Sequence, residues 1–114
     1  MSEDDVVSQE NWRGTYAKVL ARAGGARRAE KLADSGVVLA HDTDFLMLHG
    51  DALSDRAEVL VMLSRPIEAA RDLEQAIALY EQKGIRSSAA AARRNHAFCV
   101  ADSADKPRRP PRRT

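Results

Sequence analysis

Residues 44–84 read DFLMLHGDALSDRAEVLVMLSRPIEAARDLEQAIALYEQKG, and their spacing decides the fold. Phe45, Leu48, Ala52, Val59 and Leu63 fall along one strip of a helix, and Leu46, Leu53, Ala57 and Leu60 along the next. Two adjacent strips make a wide apolar face, so a helix over 45–64 is expected to be contacted from more than one side. Arg65-Pro66 then breaks it. Proline disfavours helix in the residue before it and suits the first turn of the helix that follows. That helix, over 66–83, turns Ala69, Ala70, Leu73, Ala76, Ile77 and Tyr80 to one side and stops at Lys83-Gly84. The segment is one helical hairpin.

Working outward, the same pattern recurs at an offset of 40 residues. Ala17 matches Ala57, Leu20 matches Leu60, Gly24 matches Ser64, Ala29 matches Ala69, and Ala33 matches Leu73. Gly36 matches Ala76 and Ala40 matches Tyr80. The offset predicts an earlier hairpin of helices over 11–23 and 26–41, separated by Gly24-Gly25. Thr43 or Asp44 is placed to cap the helix that follows. Downstream, Ala92, Ala97 and Val100 match Ala52, Ala57 and Leu60, predicting a fifth helix that starts near Ser87 or Ser88. Repetition at this period signals stacked hairpins, and small residues recur where helices approach closely.

Composition agrees. Of 114 residues, 20 are alanine, and Leu, Arg and Glu are abundant, all strong helix formers. Three Ile, three Thr and five aromatics leave little for extended β structure. The formal net charge of +1 hides an uneven distribution. Residues 1–10 carry four acids, residues 106–114 carry five cations, and the stretch between is neutral. The expected organisation is an acidic disordered arm over 1–10, an all-α repeat domain over 11–101, and a basic Pro/Arg-rich disordered tail over 102–114. The lone Cys99 permits no intrachain disulfide and fits a reducing compartment. The acidic start is no signal peptide, and no stretch is apolar enough to span a membrane, so a cytoplasmic protein is expected.

These positions resemble the tetratricopeptide repeat. Its small, large and turn positions fall on Ala57, Leu60 and Ser64 in the first helix of the unit, and on Ala69, Leu73 and Ala76 in the second. The period of 40 is longer than the roughly 34 of the common form, and the proline expected after the second helix is missing. The run 44–84, followed by SSAAAARR, looks like the C-terminal repeats of bacterial multidomain regulators. Those include nucleotidyl-cyclase/AAA-ATPase fusions and LuxR-type and AfsR-type activators. The resemblance covers about residues 11–100 and implies a TPR-like α-solenoid. It also implies a concave groove lined by the first helix of each unit. Carried over by register, that groove comprises Asn11, Gly14, Lys18, Arg22, Asp51, Ser54, Glu58, Met62, Arg94 and Phe98, basic at one end and acidic in the middle. For the acids Asp51, Asp55 and Glu58, a solvated helix face is the plainer reading.

Little in the chain points to catalysis. There is no Gly-rich phosphate loop, HExxH or paired CxxC. His96 and Cys99 share a helix face but have no evident third or fourth ligand, and are read as packing residues. His49 near Asp51 lacks a nucleophile, so no catalytic, cofactor or metal site is expected. The array holds two hairpins and one further helix, whose outer residues Ala90, Ala97, Phe98 and Val100 have no following helix to cover them. This open end is expected to dock on a partner protein or a second copy, unless the chain is a remnant of a longer regulator. The tail KPRRPPRRT carries charge for nucleic-acid phosphates or anionic lipid, and a PxxP spacing for a proline-binding groove. A disordered terminus without a partner is the simpler expectation for it. The function read from the sequence is a non-catalytic interaction module, or the repeat region of a signalling regulator. The alternative is a nucleic-acid-binding accessory protein acting through its tail.

Overall fold

A computed structural model describes residues 3–43 and 45–105, with side chains over 12–43 and 45–102. Five α-helices and no strand occur among them: α1 (Glu3–Arg22), α2 (Ala26–His41), α3 (Leu46–Met62), α4 (Pro66–Lys83) and α5 (Arg86–Asp105). The all-α architecture is as expected. Each helix packs on its neighbours in sequence, and α1 also packs on α3. Among the described residues no helix is long and apolar enough to cross a membrane. Asp44 and the Pro/Arg tail, residues 106–114, lie outside the described residues.

Helix boundaries follow the 40-residue offset. α1 ends at Arg22 and α3 at Met62; α2 begins at Ala26 and α4 at Pro66; α3 begins at Leu46 and α5 at Arg86. The turns match in detail. Gly24 and Ser64 both have positive φ, 91° and 63°. Behind them the amides of Gly25 and Arg65 donate to the carbonyls of Leu20 and Leu60, both at 2.8 Å. These bonds satisfy carbonyls that a helix end leaves open.

Three boundaries differ from the sequence expectation, one of them the end of α5, which runs to Asp105 and takes in residues 102–105 of the expected tail. α1 opens at Glu3 and not at Asn11. The segment 3–13 has no proline or glycine to stop a helix, and it opens with three acids, which the N-terminal end of the helix dipole favours. At the other junction, Thr43 does not cap α3, whose N-cap is Phe45 without a side-chain bond. The Thr43 hydroxyl instead donates to the Ala40 carbonyl at 2.8 Å and accepts from the Phe45 amide at 3.1 Å, bridging the end of α2 to the start of α3.

The core is made mostly of small side chains. Ala17, Ala29 and Ala33 meet Val59 of α3, and Ala40 meets Leu48 and Ala52. On the other side Leu53, Ala57 and Leu60 meet Ala69, Leu73, Ala76 and Tyr80, and this cluster runs on to Ala89, Ala92 and Cys99 of α5. α3 thus supplies residues to all three clusters, as its double apolar strip requires. Gly50 makes the approach to α4 possible. A Cβ there would lie 2.8 Å from Tyr80 Cε1, inside contact distance.

Candidate protein-interaction groove

Two equivalent seams join the odd-numbered helices, and they differ. At the α1–α3 seam a Cβ on Gly14 would collide with the Asp55 carboxylate, so glycine lets the helices close. Lys18 Nζ then reaches Asp55 at 2.9 Å and Glu58 at 3.2 Å. Burial opposes the charge on this lysine. Hydrogen bonds and the negative charge of Asp55 and Glu58 outweigh it and hold its pKa above the ordinary value. Ala17, Ala21, Ala33 and Val59 fill the seam beneath.

At the α3–α5 seam there is a cavity of about 370 Å³, lined by Ser54, Ala57, Glu58, Val61, Leu73, Asn95, Phe98 and Cys99. Every one of these stands 40 positions after a residue of the first seam. Ser54 replaces Gly14, and Glu58 replaces Lys18. Asn95 replaces Asp55, and Phe98 replaces Glu58. The close-approach glycine and the clamping ion pair are both lost, and the seam stands open with Leu73 of α4 among its walls. Apolar Ala57, Val61, Leu73 and Phe98 form half of the lining, with one carboxylate and no cation. Cys99 is buried in it, and burial, then the charge of Asp102, raise its thiol pKa. The volume sits at the lower end of ligand clefts, roughly 300–1,000 Å³.

The register-derived groove residues separate in the structure. Ser54, Glu58 and Phe98 line this cavity together, and Lys18 joins Glu58 from the far side of α3. Asp51 instead faces α4 inside its own hairpin and accepts a 2.6 Å hydrogen bond from the Tyr80 hydroxyl, while Ser54 Oγ lies 3.4 Å from that hydroxyl. Burial raises the Asp51 pKa despite that bond. It raises Tyr80 as well, with Asp51 adding to the effect. Arg22 and Arg94 are exposed and line no part of the cavity, Met62 is half-buried, and the Asn11 side chain is not among those described. At the open end Ala90, Ala97, Phe98 and Val100 are all exposed, with Phe98 at 64% on the rim of the cavity.

Two arginine clusters escaped the sequence reading. Arg56 donates through Nε and Nη2 to both oxygens of Asp72, each at 2.8 Å, and through Nη1 to Asp34 at 3.1 Å. Asp72 is 6% exposed, the only buried charged residue among those described. Arg65 grips Glu68 at 2.9 and 2.6 Å and Glu30 at 2.7 Å, which lowers the pKa of both carboxylates. Both clusters bind α2 to the second hairpin. The pairs lie 16 to 35 residues apart, beyond any helical spacing, except Arg65–Glu68.

The residues weighed for chemistry are otherwise engaged. His96 Nε2 lies 3.0 Å from Glu74, and His49 stands edge-on to His41 at 5.2 Å. Among the described residues no group of three or more His, Cys, Asp or Glu is placed to hold a metal ion. Compared with family models, curated proteins and solved structures, the chain matches none.

Proposed function

We propose that the chain is a non-catalytic protein–protein interaction module whose TPR-like hairpins correspond to the C-terminal repeats of bacterial signalling or transcriptional regulators. The 40-residue offset shared by helix ends, turns and buried alanines supports the repeat reading. One observation carries the binding reading: the α3–α5 seam is open where its counterpart is shut. Its apolar walls and single carboxylate suit a peptide that inserts an apolar side chain next to a lysine or arginine.

Selection of a random peptide display library on the full chain tests this. Selected peptides should carry an apolar residue beside a cation. They should slow alkylation of Cys99, and they should lose at least tenfold in affinity for Glu58→Lys. Peptides without that pair, or binding indifferent to Glu58→Lys, would reject the groove.

A further inference from the structure

The two end helices carry complementary halves of the internal seam. On α1, Trp12, Tyr16 and Val19 are 57%, 43% and 49% exposed and border an open hollow with Thr15. Forty positions on stand Ala52, Asp55, Arg56 and Val59, the face α3 turns toward the first hairpin. There Val59 packs on Ala17, Ala29 and Ala33, Ala52 on Ala40, Asp55 meets Lys18, and Arg56 meets Asp34. On α5, the exposed Arg94, Ala97 and Phe98 stand 40 positions after Ser54, Ala57 and Glu58, which face the next helix. Both faces are exposed, with the Arg13 guanidinium 5.3 Å from the centre of the Trp12 ring.

We propose that a second copy of this chain lays its α1 on α5 of the first, head to tail, in the register in which α3 packs on α1. Internal contacts rise together along both helices, Gly14 with Asp55 and Lys18 with Glu58, so that packing is parallel. The charges suit the same sense, since transferring the register sets Arg22 of the incoming copy opposite Asp102. The apolar match centres on Val19 of the incoming copy, which takes the place of Val59 and comes over Ala97 as Val59 does over Ala17. Such a contact uses different faces on the two partners, so it does not close on a two-fold axis and can add further copies. The inference rests on the interaction-module reading and names one partner for it.

Sedimentation velocity of the full chain over a wide concentration range tests this, with Val19→Glu blocking the α1 face and Ala97→Glu the α5 face. Both sites are exposed, and far-UV helicity checks folding; Thr15→Glu, also exposed, replaces Val19→Glu should that variant unfold. Wild type should grow past a dimer as concentration rises. Each variant alone should stay monomeric, and an equimolar mixture should form a one-to-one dimer that grows no further. Wild type that stays monomeric, a variant that still dimerises, or a mixture that does not associate would each overturn the proposal. Ala97 lies outside the α3–α5 cavity, so peptide binding measured on monomeric Ala97→Glu keeps the two readings separable.

Discussion

Gly24 and Ser64 hold the same left-handed turn 40 residues apart, at φ 91° and 63°. Glycine takes this conformation freely, whereas an L side chain with a Cβ is strained there. Ser64→Gly should therefore stabilise the chain by about 0.5–1 kcal/mol, and Ser64→Val should destabilise it. Thermal or urea unfolding of the three chains checks the order.

Removing the Asp72 carboxylate should leave Arg56 half-buried with only Asp34 opposite. Hydrogen bonds to charged groups contribute roughly 1.5–3 kcal/mol each way, so Asp72→Ala should cost about 2–3 kcal/mol. Asp34→Ala should cost far less, because that carboxylate is half-exposed. Equal losses from the two, read by urea unfolding, would contradict the assignment of Asp72 as the main anchor.

His49 is acid-sensitive close to neutral pH. Burial, then His41, then Arg56 lower its pKa from the ordinary 6.5. The folded state favours the neutral ring, so its stability contribution is complete above pH 6.5 and is lost as pH falls below it. His49→Gln should flatten the decline in melting temperature between about pH 7 and pH 5. An unchanged slope would place the acid sensitivity elsewhere.

Ala69 is fully buried at the contact of α3 and α4. Ala69→Leu should overpack it and cost about 1–3 kcal/mol. Gly50→Ala tests the same interface from the other helix, since its Cβ would press on the Tyr80 ring. An unchanged melting midpoint in either variant would discredit the packing of this hairpin.

Helix ends that carry explicit punctuation were legible in the sequence: Gly24, Pro66 and Gly84 each mark one, and each is where the structure stops or starts a helix. The start of α1 was not, because nothing between Glu3 and Asn11 punctuates the chain and acidity alone reads as a solvated arm. The buried alanines were legible through the offset. The ion pair of Lys18 was not legible, because register gave only its place along a groove. Its pairing with Asp55 depends on how near Gly14 lets two helices come, a distance that no residue spacing expresses. Arg56 and Asp72 lie on different helices with no local pattern to link them, so only packing reveals the pair.

The coincidence of helix ends at a 40-residue offset has a consequence for how such a chain can change length. Joining Gly25 directly to Pro66 would remove residues 26–65 and still run from a completed helix stop into a completed helix start. Duplicating the same stretch would lengthen the chain equally cleanly. Length can change here in whole hairpins without any helix being cut, whereas a deletion of one residue inside α3 would rotate its apolar face by about 100° and break every contact beyond it.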